Sequence, residues 1–205
     1  MTITYEFGDA LYVNLTNRCD CACVFCIRKS DSEAIFDHNL WLPREPSREE
    51  ALADILSRDL PSYSELVFCG FGEPSYRIDD ILWLCDQLRE QTTNLPPIRL
   101  NTNGHGSLVN ERNIVPDLAG RLDRISVSLN ASNERDYCAQ TRPKDKTRAW
   151  EAMLEFTRDA AKVVPDVALT VVDFEKTSEE LDACHAIAER IGVPLRVRSY
   201  TEESV

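Results

Sequence analysis

Short apolar runs alternate with amphipathic stretches along almost the whole chain, and this succession limits the folds open to it. Strand-like runs fall at residues 10–16, 65–69, 98–101, 122–129, 167–172 and 195–200. Helical patterns lie between them. Ser47 and Glu50 form a capping box ahead of Leu52, Ile55 and Leu56. Ile78, Ile81, Leu82, Cys85 and Leu88 make a buried stripe, a weak helix spans 109–119, and Trp150, Met153, Leu154, Thr157 and Ala161 mark a longer helix. Thr177 and Glu180 open a last helix that Gly192 and Pro194 stop. Strand followed by helix predicts a parallel sheet. Six such units are too few for a closed eight-stranded barrel. The expected α/β architecture is an open, partial (β/α)6 barrel in one domain, residues 1–205, with a doubly wound sheet as the competitor.

Alternate strand residues face opposite sides of a sheet. In the first run Leu11, Val13 and Leu15 share one side, and Tyr12, Asn14 and Thr16 the other. The fourth run sets Ile125, Val127 and Leu129 against Ser126, Ser128 and Asn130, and the sixth sets Leu195 and Val197 against Arg196, Arg198 and Tyr200. Strands buried on both faces read as continuously apolar. These have one polar face, which predicts helices outside and a wet, ligand-bearing concave face inside.

Four of the eight cysteines, Cys19, Cys21, Cys23 and Cys26, follow the first strand within eight residues. Clustering of this kind favours metal binding over a disulfide framework. The spacing C-x3-C-x2-C lets Cys19, Cys23 and Cys26 converge, and thiolates hold iron–sulfur clusters. Three ligands on a four-iron cube leave one iron open to a chelating substrate. Cys23-x-x-Cys26 alone also fits half a zinc site or a redox pair, but no second CxxC exists and the other cysteines and histidines are scattered. Cys21 offers Cys19-x-Cys21-x-Cys23 as another triad; its expected role is a spectator thiol or an occasional substitute ligand.

Further motifs follow in order: Gly70-Phe71-Gly72-Glu73-Pro74 after the second strand, Asn101-Thr102-Asn103-Gly104 after the third, and Ser126-Val127-Ser128-Leu129-Asn130-Ala131 along the fourth. Ligands in parallel α/β folds sit at the carboxyl ends of the strands. The set resembles the radical S-adenosylmethionine (SAM) superfamily, with Phe71 in place of the first glycine of its Gly-Gly-Glu-Pro turn. GDALYVNLTNRC, CVFCIRK, LWLPREPS, FCGFGEP, SLNA, Tyr137 with Arg142-Pro143, and RVRSY are similar to the TatD-associated members, over residues 8–200.

The resemblance implies a 4Fe–4S cluster on Cys19, Cys23 and Cys26, a one-electron reductant, and SAM on the open iron. Its cleavage yields a 5′-deoxyadenosyl radical that takes hydrogen from a substrate. It further implies cofactor contacts at Phe25 (adenine), at Gly70, Gly72 and Glu73 (methionine ammonium, met by Glu73 or its neighbouring carbonyl), at Asn101, at Ser128 and Asn130 (ribose or carboxylate) and at Arg198 (a carboxylate), and a TatD-type hydrolase as neighbour. Arg142 reaches the site from the loop beyond the fourth strand. Val171 is an adenine wall or core, and Cys69 a reactive thiol or a filler. Cys85 and Cys184 read as core, and His38, His105 and His185 carry no spacing signal. Competing readings are a 7-carboxy-7-deazaguanine synthase, whose cluster is followed by Asp-Thr or Asp-Ser where Ile27-Arg28 stands here, a glycyl-radical-enzyme activase, and a non-catalytic zinc module.

With 43% hydrophobic and 28% charged residues the chain reads as an ordinary folded domain. The net charge of −12 opposes general binding to nucleic-acid phosphates. No signal-peptide pattern opens the chain and no apolar run of about 18 residues occurs, so a cytoplasmic location is expected. Nothing after the sixth strand suggests an auxiliary cluster or a recognition domain. A small or short-segment substrate follows, with Arg99, Arg142, Arg196 and Arg198 giving the cavity local positive character.

Overall fold

The computed structural model describes residues 1–29 and 39–200. Seven strands form one sheet in sequential order: β1 (Thr4–Phe7), β2 (Ala10–Val13), β3 (Leu66–Phe68), β4 (Ile98–Thr102), β5 (Arg124–Ser128), β6 (Asp166–Val172) and β7 (Leu195–Arg198). Six of them, β2 to β7, pair in parallel at the six predicted positions. β1 is additional. It pairs antiparallel with β2 across Gly8 and Asp9, a glycine-led two-residue loop that is itself a hairpin signal.

The helices are α1 (Arg48–Leu56), α2 (Ile78–Gln91), α3 (Gly106–Val109), α4 (Val115–Leu118), α5 (Glu134–Thr141), α6 (Ala149–Ala160) and α7 (Ser178–Ile191). Both capping boxes form, Ser47 with Glu50 and Thr177 with Glu180; each cap contributes about 1 kcal/mol. The expected helix at 109–119 is instead α3 and α4, because Asn110–Asn113 interrupts it and Pro116 starts a new turn. α5 was not expected; it begins at Asn133, whose side chain accepts the Asp136 N–H.

Parallel crossovers are right-handed, so a strand order that never reverses puts every helix on one face. A doubly wound sheet needs a reversal, and none occurs. The core lies between sheet and helices and takes one side of each strand: Leu11, Val13, Leu66, Phe68, Leu100, Val127 and Leu169. Cys85, Cys184 and Val171 belong to it, fully buried. The opposite side carries Tyr12, Arg99, Asn101, Ser126, Ser128, Thr170 and Arg198, which line a cleft of about 620 Å³. The predicted polar inner face is therefore present. No helix among the described residues is long and apolar enough to cross a membrane.

Candidate functional site at the cysteine loop

The loop that leaves β2 carries Cys19, Cys21, Cys23 and Cys26, all free thiols of intermediate burial, and all line the cleft. Two neighbouring segments hold it. Ala22 N–H donates to Thr141 O at 2.9 Å and Val24 N–H to Gln140 O at 2.8 Å, while Lys144 N–H donates to Asp20 O at 2.8 Å. Helix C-termini leave carbonyls without partners in their own helix; those of α5 receive the loop amides. The Cys21 thiol is raised by hydrogen bonding to Cys19 and Cys23, and Cys23 is lowered chiefly because Cys21 donates to it. Cys26 is raised by burial. The pair thus favours Cys23 over Cys21 as a thiolate.

Phe25, Gly70, Gly72, Glu73, Asn101, Ser128, Asn130 and Arg198 line the same cleft as the cysteines. Their local roles differ from one another. Phe25 meets Phe174, which packs at a tilt against Tyr200 with centroids 4.6 Å apart. Gly72 presses against backbone: a Cβ there would overlap the Thr16 and Arg18 carbonyls. Its Glu73 neighbour donates its N–H to Arg18 O at 2.8 Å, so the glycine turn is docked on the approach to Cys19. The Glu73 carboxylate is 4% exposed and accepts from Thr102 Oγ1 (2.7 Å), Asn103 N (2.7 Å) and Ser75 N (3.1 Å). Burial nevertheless raises its pKa. Most of its acceptor capacity is used inside the protein, which shifts the expected ammonium contact toward neighbouring backbone carbonyls.

Asn101 and Asn130 each present a buried Oδ1 with no hydrogen-bond partner among the described residues. Asn130 follows β5 in the left-handed region (φ +56°), which asparagine tolerates better than most residues. Buried polar atoms without protein partners call for an explanation; both residues belong to the cleft lining, where a ligand with N–H or O–H donors would supply the missing partners. Cys69 lines the cleft with its thiol raised by burial.

The arginines divide. Arg99 pairs with Glu65 at 2.9 Å, Glu65 with Arg124 at 3.4 Å, and Arg124 and Arg196 with Asp166 at 3.5 and 3.3 Å. This alternating network crosses the sheet and neutralises Arg99 and Arg196. Arg142 caps α5 with a left-handed backbone and does not line the cleft, contrary to expectation. Arg198 has no ion pair among the described residues.

One constellation was not legible in the sequence. Asp20 Oδ2 lies 2.6 Å from His105 Nδ1, and Tyr137 OH lies 2.8 Å from His105 Nε2. Asp20 Oδ1 accepts from Asn103 Nδ2 at 2.7 Å. Burial alone would raise the Asp20 carboxyl; the His105 and Asn103 bonds, with the nearby His105 charge, hold it below the ordinary value. His105 is 0% exposed, and 85 positions separate it from Asp20, so no spacing rule finds the pair. His185 is exposed, and His38 lies outside the described residues. Cys21 Sγ is 3.9 Å from His105 Nδ1, and Asp20, Cys21 and His105 form a compact donor group. The imidazole nitrogen in that group is already engaged by the carboxylate.

The donor set fits a cysteine-held cluster with a second ligand beside it: thiols of one loop at one end of the cleft, unpartnered acceptors within reach of the same space. Comparison with known proteins agrees. The chain is 30% identical over 137 residues to a GTP 3′,8-cyclase of Corynebacterium glutamicum, a match covering 64% of this chain and 33% of that protein. The chain thus spans about a third of the length of that curated relative. Among solved structures, Streptococcus suis SuiB bound to S-adenosylmethionine superposes with a TM-score of 0.67 at 17% identity, covering 96% of this chain and 40% of that one. A radical SAM methyltransferase from Sphaerobacter thermophilus gives 0.66 at 15% identity, covering 98% and 70%. The family model described as Radical SAM superfamily matches residues 13–185. The chain belongs to the radical SAM superfamily, whose members use a 4Fe–4S cluster and SAM.

Proposed function

We propose that this protein is an enzyme that reductively cleaves SAM and uses the resulting 5′-deoxyadenosyl radical to remove hydrogen from a small substrate or a short exposed segment of a larger one. Cys19, Cys23 and Cys26 hold the cluster, with Cys21 a spectator. When bound, the cluster supplies the electron for that cleavage; a cofactor carries the hard chemistry and the protein orients it. The observation that carries the reading is the convergence of the cysteine loop, the docked glycine turn and the unpartnered Asn101 and Asn130 acceptors on one cleft at the carboxyl ends of the strands.

The protein's own groups then have stated tasks. Phe25 walls the adenine. Gly70, Gly72 and Glu73 form the turn that takes the methionine end, and Glu73 braces it against the loop after β4. Asn101, Ser128 and Asn130 take the ribose or carboxylate. Arg198, with no ion pair among the described residues, takes an anionic group of SAM or substrate, since arginine binds carboxylate and phosphate in a bidentate way. SuiB, a structural relative, is also known with a precursor peptide bound, which is in keeping with a short exposed segment as substrate. The TatD-associated motifs support a TatD-type hydrolase as functional neighbour, and cleavage of SAM calls for a one-electron donor.

The test is anaerobic incubation of reconstituted protein with SAM and dithionite, following 5′-deoxyadenosine and methionine by mass spectrometry. Cell extract in deuterated form then reports the substrate through label in 5′-deoxyadenosine. Protein that carries iron and sulfide yet forms no 5′-deoxyadenosine under any reductant would refute the reading.

A further inference from the structure

We infer that His105 is a positioning residue for the cysteine loop, acting through Asp20; the inference rests on the radical SAM reading above. Asp20 stands between Cys19 and Cys21, is 6% exposed, and has both carboxylate oxygens engaged: Oδ2 by His105 Nδ1 at 2.6 Å and Oδ1 by Asn103 Nδ2 at 2.7 Å. His105 N–H donates to Asn103 Oδ1 at 2.9 Å, which closes a ring of three hydrogen bonds among the three residues. With Nδ1 facing the Asp20 carboxylate, His105 Nε2 meets the Tyr137 hydroxyl at 2.8 Å. Both ring nitrogens therefore have a partner.

The ring ties the loop to the rest of the site. Asn103 N–H also donates to Glu73 Oε2 at 2.7 Å, so the glycine turn, the turn after β4 and the cysteine loop share one network. Tyr137 belongs to α5, whose terminal carbonyls hold Ala22 and Val24. His105 thus links the two supports of the loop, the β4 turn on one side and α5 on the other. Groups of this kind orient metal ligands without touching the metal, and their loss typically weakens metal binding roughly 10- to 100-fold.

The experiment compares reconstituted wild-type protein with His105→Leu, His105→Asn and Asp20→Asn, using exposed His185→Ala as control. The readouts are the rate of cluster loss to an iron chelator, followed by visible absorbance, and the electron paramagnetic resonance spectrum of the reduced cluster with and without SAM. His105→Leu is expected to lose its cluster roughly tenfold faster and to show an altered spectrum at unchanged far-ultraviolet circular dichroism. His105→Asn should restore most of the wild-type behaviour, because its amide N–H takes the place of Nδ1–H. A wild-type rate and spectrum in His105→Leu overturns the inference, and so does an Asn variant no better than Leu. Should His105→Leu not fold, Asp20→Asn decides: its single amide oxygen does not accept from both His105 and Asn103, so faster loss supports the inference and a wild-type rate overturns it. Wild-type protein that binds no iron and sulfide refutes the radical SAM reading itself, before any variant is compared.

Discussion

The Glu73 carboxylate bridges the glycine turn to the loop after β4, taking the Asn103 backbone N–H at 2.7 Å and the Thr102 hydroxyl at 2.7 Å. Replacing it by glutamine keeps the shape but puts an N–H₂ group opposite one of these donors. The expected cost is about 1–3 kcal/mol for the unsatisfied buried pair, read as a lower urea midpoint. SAM affinity should fall in the same variant, because the turn loses its brace. An unchanged midpoint would show that the bridge carries no net stability.

The cysteines separate by role. Alanine at Cys19, Cys23 or Cys26 should abolish the reconstituted cluster, measured as iron and sulfide per chain. Cys21→Ala should keep most of it. Full cluster content in Cys23→Ala together with loss in Cys21→Ala would reassign the ligand triad.

Gly72 has a different sensitivity from the one its motif suggests. As a cofactor contact it would, on substitution, lose SAM and keep iron. The structure sets it against the Thr16 and Arg18 carbonyls, on the segment that leads to Cys19. Gly72→Ala should therefore lower both iron content and stability, the latter by about 1–3 kcal/mol from overpacking. For a chain of this size that corresponds to a melting-temperature drop of roughly 2–4 °C per kcal/mol. Normal iron content with weakened SAM binding would return the glycine to its simpler role.

Arg77 staples three segments with one guanidinium: Nη1 donates to Leu15 O at 3.0 Å, Nη2 to Pro46 O at 2.9 Å, and Nε to Asp80 at 2.6 Å. Its side chain is 12% exposed. Arg77→Ala should cost about 2–3 kcal/mol, because two backbone carbonyls and a carboxylate lose a charged donor. Arg135→Ala, which removes an exposed guanidinium from a surface pair, should leave the denaturation midpoint essentially unchanged. Equal effects in chemical denaturation would show that the staple adds nothing beyond a surface pair.

Burial pushes the Cys85 thiol up to about 12. The native state keeps this proton while the unfolded chain releases it at the ordinary thiol value. Cys85 therefore contributes stability that is fully present below the unfolded pKa and declines as pH rises from about 9 toward about 12. Cys85→Ala should flatten that alkaline slope. In the native protein at pH 8, iodoacetamide should spare Cys85 and Cys184, both 0% exposed, and modify the more accessible Cys138. Rapid labelling of Cys85 would mean that α2 opens far more often than its packing suggests.

The sequence alone determined the parallel strands, the two capping boxes, the polar inner face and the cysteine loop with its glycine turn. Each is written in local order: a period of two or of 3.6, a cap three residues before its partner, thiols three and four residues apart. It did not determine the Asp20–His105–Tyr137 chain, the Glu73 bridge or the pairing of Arg99 and Arg196 with acids. Those join residues from different βα units, and no periodicity relates positions brought together only when the sheet curves and its loops meet. The same limit explains Gly72, whose need for a bare Cα comes from the Thr16–Arg18 backbone rather than from its own turn. Local chemistry named the residues of the cleft, and the tertiary fold decided which of them hold one another and which still have atoms to offer a ligand.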